Sequence, residues 1–316
     1  MKVLITGGAG FIGSKVAQVL RDRGDDVVII DNFNDYYEPK LKRDRLTSLL
    51  KGREYTLYEG DIRDEKLLEK IFSKEGIDKV VHLAAMAGVR NSLKNPLLYE
   101  DVNIKGTMLL LEMGRKYAVK NFVYASSSSV YGNNTKVPFS ETDFVDHPIS
   151  PYAATKKATE LLAYTYSHLY GIPTTGLRYF TVYGPWGRPD MALFLFVKNI
   201  FEGLPIDVYN FGKMSRNFTY VDDIVSGTIV VLDANQKCEV MNIGGDKEET
   251  LLRFIETIEL NIGKEAKKNM LPIQPGDVPQ TVADISKLRS LGWSPTTRIE
   301  EGIKNFVLWY KEYYKV

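Results

Sequence analysis

Gly7-Gly-Ala-Gly-Phe-Ile-Gly13 constrains the fold of this chain more than any other stretch. It follows Lys2-Val-Leu-Ile-Thr6, a short apolar run rich in β-branched residues, as expected of a strand covered on both faces. It precedes Ser14–Arg23, where Val16, Val19 and Leu20 recur at helical spacing and Gly24 marks a stop. Gly7 permits a tight turn, Gly10 lets backbone approach a ligand closely, and Gly13 lets the helix pack against the strand. The helix N-terminus then presents free N–H groups and the positive end of its dipole, a ready anion site. Strand, glycine turn and helix in this order open a nucleotide-binding βαβ unit.

Asp31 sharpens that reading. It ends the run Asp26-Val-Val-Ile-Ile-Asp31, 18 residues after Gly13. A carboxylate there accepts hydrogen bonds from an adenosine ribose and repels a 2′-phosphate, which favours NAD over NADP. Asn32 does not bring the cation that NADP would want. Phe11 and Ile12, inside the turn, count with the glycines as cofactor contacts.

Beyond the turn the chain alternates. Further strands are expected at Glu54–Glu59, Lys79–Ala84, Asn121–Ser126, Thr174–Tyr179 and Val240–Ile243, with helices including Lys66–Phe72, Asn103–Tyr117 and Pro151–Tyr170. The rhythm predicts an α/β fold with a doubly wound parallel (Rossmann) sheet. After about residue 180 it breaks among Pro185, Pro189, Pro205, Pro272, Pro275, Pro279 and Pro295. We therefore expect a cofactor domain over residues 1–179, with returning segments near 218–245, and a smaller substrate lobe over 180–316. No stretch is rich enough in Gly or Ser to act as a free linker.

Composition bounds the function. The 316 residues carry a formal charge of +1, so bulk electrostatics recommend neither nucleic acid nor a membrane surface. The single cysteine, Cys238, fits a reducing compartment. His82, His147 and His168 have no ligand spacing, so no metal is expected. No apolar run is long enough to span a bilayer, and the chain starts directly on a strand with no visible signal peptide, so a cytoplasmic location is expected.

Tyr152-Ala-Ala-Thr-Lys156 places a phenol and an ammonium at i and i+4, on one face of a helix. A free tyrosine has a pKa of about 10, too high for a base near neutrality. A neighbouring ammonium favours the phenolate and so suits general base work. Ser127, within Ala125-Ser-Ser-Ser-Ser-Val-Tyr131 at a strand end, can hydrogen-bond a sugar hydroxyl or keto oxygen; four consecutive serines leave open which one acts. After a dinucleotide cradle, this constellation predicts hydride chemistry on an alcohol or ketone.

Thr6–Gly13, His82-Leu-Ala-Ala85, Ser126–Gly132 and Tyr152-x-x-x-Lys156, with Ala283-Asp-Ile-Ser-Lys287 and Leu291-Gly-Trp293 downstream, resemble the extended short-chain dehydrogenase/reductases, and within them the nucleotide-sugar epimerases. The resemblance implies a permanently held NAD, a UDP- or dTDP-sugar in the second lobe, and a homodimer built through two helices per subunit. It carries cofactor contacts onto Asp61, Ile62, Leu83, Ala84, Ala85, Asn103 and Tyr179. Sugar-nucleotide 4,6-dehydratases and UDP-glucuronate decarboxylases have a carboxylate before Val-Tyr-Gly. Here Ser128 and Ser129 stand in its place, so elimination lacks its acid and base while epimerisation needs neither.

Asp31-Asn-Phe-Asn-Asp-Tyr-Tyr37 with Leu41-Lys-Arg-Asp-Arg-Leu46, and Arg178–Met191, are similar to UDP-glucuronate 4-epimerases. UDP-glucose 4-epimerases usually have Asn where this chain has Thr181. Arg188 is the candidate clamp for a sugar carboxylate, since guanidinium matches carboxylate bidentately. Arg216 is the candidate for the diphosphate, and Arg90 suits either anion. Asp277 is placed with the substrate contacts, although Gln274-Pro-Gly-Asp277 lacks the arginine that many relatives have there. UDP-glucose and UDP-N-acetylglucosamine remain alternative substrates, and a non-catalytic dinucleotide sensor a distant one.

Overall fold

The computed structural model describes residues 1–274 and 276–316; Pro275, one of the prolines noted above, lies outside the described residues. Seven strands form one all-parallel sheet: β1 (Lys2–Thr6), β2 (Asp26–Asp31), β3 (Thr56–Glu59), β4 (Lys79–His82), β5 (Asn121–Ser127), β6 (Thr174–Tyr179) and β7 (Cys238–Ile243). Their order is β3-β2-β1-β4-β5-β6-β7. The winding reverses between β1 and β4, and in such sheets ligands bind beyond the strand ends at that reversal.

Alternation within the strands assigns the two faces. Val3, Ile5, Val27, Ile29, Val81 and Val123 join one apolar cluster. Leu4, Val28, Ile30, Val80, Phe122 and Tyr124 join the other. The first face is covered by α1 (Phe11–Asp22), through Val16, Ala17 and Leu20. The second is covered by α3 (Glu65–Glu75), α4 (Gly106–Lys116) and α5 (Pro151–Tyr170). Both faces being buried explains why these strands read as continuous apolar runs.

Beyond β6 come α6 (Ala192–Glu202), α7 (Val221–Ala234), α8 (Leu251–Ile262) and α9 (Ile299–Tyr314). The helix α7 and the strand β7 sit in the sheet layers, while α6, α8 and α9 pack through Phe194, Phe254, Phe306 and Tyr310. These side chains belong to the same apolar cluster as the first sheet face, so the three helices are continuous with the sheet's own core.

Several boundaries differ from expectation. The first helix begins at Phe11, because extended Gly10 caps it and its carbonyl accepts from Ser14 N at 3.1 Å. Pairing in β3 starts at Thr56, and β4 ends at His82, where the chain leaves the sheet to line the site. The helix read from Asn103 is a π-helical turn, Asp101–Lys105, followed by α4. A helix not anticipated, α2 (Pro39–Leu49), buries Lys42 and Arg45 beside Leu41 and Leu46. Its inward face mixes charge with apolar residues, so apolar periodicity does not reveal it.

Candidate active site

One cavity of about 990 Å³ runs from the glycine turn, over the ends of β1, β4, β5 and β6, to the lobe residues Leu195, Arg216 and Asp277. The turn leaves no room for side chains. A Cβ on Gly7, whose φ is +68°, would lie 2.8 Å from Ala84 N; one on Gly10 would lie 2.9 Å, and one on Gly13 2.3 Å, from the Gly7 carbonyl oxygen. Phe11 and Ile12 line the cavity beside it. Asp31 accepts from Ala9 N at 3.0 Å and from Phe33 N at 2.9 Å. A carboxylate has about four lone-pair sites, so Asp31 keeps capacity for two ribose hydroxyls. Burial raises its pKa, against the pull of these N–H groups and Lys42. A dinucleotide fits these residues.

Asp61, by contrast, is saturated. Arg63 donates to it from Nε and Nη2 at 2.8 Å each and from its backbone N at 2.9 Å, and Asn32 adds 2.9 Å. These bonds hold its pKa down at about 2. Asn32 and Asp61 thus engage each other at the cavity wall, next to Ile62. Leu83, Ala84 and Ala85 form the floor beyond β4. Asn103 sits behind this floor, not among the lining residues. It accepts from Met86 N at 2.8 Å, donates to Met86 O at 3.0 Å and donates to Thr155 Oγ1 at 3.0 Å, so it shapes the wall through the backbone.

Tyr152 and Lys156 lie in the first turns of α5, which starts at Pro151 under a Ser150 cap that accepts from Ala153 N at 3.1 Å. Both line the cavity, with Ser127 at the end of β5. Burial raises the Tyr152 pKa; the Ser127 hydroxyl and the Arg188 charge pull the other way. Lys156 makes no hydrogen bond to Tyr152 among the described residues. Its Nζ donates to Ala125 O at 2.7 Å, and burial lowers its pKa to about 8. The i, i+4 rule fixes the shared face but not where a four-carbon stem points. Ser127 Oγ accepts from Ser129 N at 3.1 Å, which ties the 3₁₀ turn Ser128–Tyr131 to the strand end. Ser128, Ser129 and Tyr179 also line the cavity, though the Tyr179 hydroxyl is engaged with Thr228 Oγ1 at 3.0 Å.

The cationic residues divide. Arg216 meets three backbone carbonyls, those of Ser215, Pro279 and Val278, at 2.7–2.9 Å, and burial lowers its pKa. Carbonyls satisfy its N–H groups without cancelling its charge, which leaves it suited to an anion. Arg90 and Asp277, both expected to touch substrate, line the cavity and pair with each other there at 2.9 Å, and Arg90 lies over the Tyr209 ring. Arg188 lines the cavity with Thr181, and its side chain is 21% exposed. It donates to Asp190 from Nε at 3.0 Å and from Nη2 at 2.5 Å.

Sequence reasoning missed the surroundings of Arg188. Tyr36 lies under its guanidinium, 5.4 Å from ring centroid to Cζ. Arg45, fully buried, donates to the carbonyls of Trp186 at 3.0 and 2.8 Å, of Gly187 at 3.3 Å and of Ala9 at 3.3 Å. It thereby joins the glycine turn to the turn that carries Arg188, where Trp186 holds the rare φ of +66°. The two segments quoted as separate signs of a uronic acid are thus in contact. Their joint presence was the available signal.

A doubly wound sheet with a glycine cradle at its reversal, and Ser, Tyr and Lys over the neighbouring strand ends, defines an extended short-chain dehydrogenase/reductase. The model of the NAD dependent epimerase/dehydratase family matches residues 3–244, and the chain belongs to that family. Protein CapI of Staphylococcus aureus is 51% identical, with all of both chains covered. UDP-glucuronate 4-epimerase 1 of Arabidopsis thaliana is 48% identical over 99% of this chain and 77% of its own. A crystal structure of UDP-glucuronic acid 4-epimerase from Bacillus cereus, in complex with UDP-glucuronic acid and NAD, superposes with a TM-score of 0.93 at 38% identity, covering 99% of this chain and 100% of that one. The protein is an isomerase of the nucleotide-sugar epimerase kind, and its cofactor is NAD. No described helix is long and apolar enough to cross a membrane.

Proposed function

We propose that the protein interconverts UDP-glucuronate and UDP-galacturonate by inverting C4 of the sugar. The observation that carries this reading is Arg188, a guanidinium lining the same cavity as Tyr152 and Lys156. Its Nη1 makes no hydrogen bond among the described residues. The relatives named for UDP-glucuronate support it, as do Ser128 and Ser129 where elimination chemistry needs a carboxylate.

NAD, held by Gly7 to Gly13, Asp31 and the β4 strand end, supplies a reversible hydride acceptor. Tyr152 takes the O4 proton as the sugar is oxidised at C4 and returns it after the 4-keto sugar has turned over. Ser127 hydrogen-bonds O4 in either orientation. Lys156, its ammonium fixed on the Ala125 carbonyl, keeps positive charge beneath the site. Arg216 anchors the diphosphate about which the sugar swings. Arg188 and Thr181 hold the carboxylate, so that the C5–C6 bond of the β-keto acid stays out of line with the carbonyl π system.

One observation favours a neutral sugar: Asp190 already partners Arg188. The open Nη1 edge weighs against it. Purified protein is incubated with UDP-glucuronate, UDP-glucose and UDP-N-acetylglucosamine, and epimers are resolved by NMR. We expect kcat/KM for the acid to exceed that for UDP-glucose by roughly 10- to 150-fold, the worth of a hydrogen bond to a charged group. A preference for UDP-glucose or UDP-N-acetylglucosamine rejects the reading. A homodimer fits the same picture: Leu161 and Tyr164 on α5 and Met108 on α4 are exposed apolar side chains that a second copy would cover.

A further inference from the structure

The surroundings of Arg188 leave its guanidinium half occupied. Of its five N–H groups, Nε–H and one on Nη2 go to the two oxygens of Asp190, at 3.0 and 2.5 Å. That is a side-on bidentate pair. The second Nη2–H faces Tyr36 Oη at 3.5 Å, too long for a firm bond. Both N–H groups of Nη1 lack a partner among the described residues. The end-on edge, Nη1 with Nη2, is therefore the edge left for a ligand.

Tyr36 completes the mount. Its ring lies against the guanidinium, 5.4 Å from centroid to Cζ. Its hydroxyl donates to Ala87 O at 2.8 Å and accepts from Asn91 Nδ2 at 2.5 Å. The phenol has one proton, so the Asp190 oxygen at 3.4 Å is a neighbour rather than a second acceptor. Tyr36 is thus pinned to the wall beyond β4 and, through its ring, pins Arg188 to that wall.

We propose that Asp190 and Tyr36 are positioning residues that hold Arg188 with its end-on edge preset for the sugar carboxylate, and so govern both the preference for an acidic sugar and retention of its carboxylate. The proposal rests on the uronate reading above. An unmounted arginine samples several rotamers and must be ordered by the ligand, which weakens recognition by roughly 2- to 12-fold per immobilised side chain. It also lets the carboxylate rotate. In the 4-keto sugar the C5–C6 bond can then break: carbon dioxide leaves, the electron pair passes into the C4 carbonyl as an enolate, and a solvent proton adds at C5. The product is a UDP-4-keto-pentose, and return to C4 of the hydride taken from it would give a UDP-pentose.

Asp190 also has an opposing effect. Its negative charge repels a substrate carboxylate, so removing it strengthens acid binding through KM alone. Product partition separates the two effects, because bulk charge alters affinity while a loose clamp alters what happens to the keto sugar. The experiment compares Asp190→Asn, Tyr36→Phe, Tyr36→Leu and Arg188→Ala with the parent. It measures kcat/KM for UDP-glucuronate against UDP-glucose, UDP-pentose formed per UDP-galacturonate, and bound NAD as a check of folding. We expect Asp190→Asn and Tyr36→Leu to raise the pentose fraction severalfold at unchanged NAD content. Tyr36→Phe keeps the ring and should change less than Tyr36→Leu. If Arg188→Ala moves both ratios while the Asp190 and Tyr36 variants move neither, or if Asp190→Asn merely lowers KM for the acid, the positioning role is overturned. If Arg188→Ala itself moves neither ratio, the uronate reading fails instead. Should Asp190→Asn lose NAD, Tyr36→Leu against Tyr36→Phe decides alone.

Discussion

Gly13→Ala and Gly114→Ala are the same chemical change with opposite expected outcomes. A Cβ on Gly13 would sit 2.3 Å from the Gly7 carbonyl oxygen and 2.9 Å from Gly8 Cα, both backbone. Reaching ordinary contact near 3.5 Å needs a retreat of roughly 1 Å. The turn cannot yield inward, because Gly7 itself lies against Ala84 and Leu83. The first turn of α1 must lift, which disturbs Phe11, Ser14 and Val16, all buried, and moves the free N–H groups at the helix N-terminus. Overpacking of this kind costs about 1–3 kcal/mol, or roughly 5- to 150-fold in NAD affinity if it falls on the bound state. A Cβ on Gly114, inside α4, would meet Phe122 at 3.8 Å and Val119 at 3.9 Å, ordinary van der Waals contact. Alanine is the better helix former there by about 1 kcal/mol, so Gly114→Ala should stabilise. The assay is nucleotide released from denatured protein, followed by NAD titration and chemical unfolding of each variant. Gly13→Ala retaining NAD affinity within twofold of the parent would refute the argument that the turn is sterically closed. A Gly114→Ala variant as destabilised as Gly13→Ala would show that the space beside Gly114 is closed as well.

Tyr152→Phe removes only a hydroxyl, so NAD content should hold while turnover falls about 10²- to 10⁴-fold, as for loss of a general base; single-turnover hydride transfer checks it, and activity within twofold of the parent excludes Tyr152 from the chemistry. Acid sensitivity should owe part of its slope to His82, which is buried and neutral between Thr6 Oγ1 at 2.7 Å and Thr107 Oγ1 at 2.9 Å, its pKa lowered by burial from 6.5 to about 3. The unfolded chain then binds one more proton than the native state between those values, so this group makes stability rise by up to about 1.4 kcal/mol per pH unit from pH 3 to 6.5 and level off above. Unfolding free energies of parent and His82→Gln across that range test it: the variant should be flatter, and parallel slopes would contradict the assignment.

How much of this was legible in the chain depends on the range of the rule involved. Gly7 to Gly13, Asp31, and Tyr152 with Lys156 were readable because each depends on local geometry: a turn that admits no Cβ, a strand end, a shared helix face. Parallel strands buried on both sides announce themselves as apolar runs, and all seven strands, the half-exposed β3 included, needed correction only at their ends. The helix α2 escaped because its buried face carries Lys42 and Arg45, which apolar periodicity counts as solvent-facing. Tertiary structure alone decided what the charged side chains meet. Tyr36 and Arg188 are 152 residues apart, Arg45 and Trp186 141, Arg90 and Asp277 187. No spacing rule spans such distances, because those neighbours are set by the path of the whole chain around the sheet. The same holds for Lys156: its position follows from i, i+4, but burial and the Ala125 carbonyl determine where its charge points. The sequence thus determined the cradle and the candidate reacting groups, and the packed fold determined which cations remain open to a ligand.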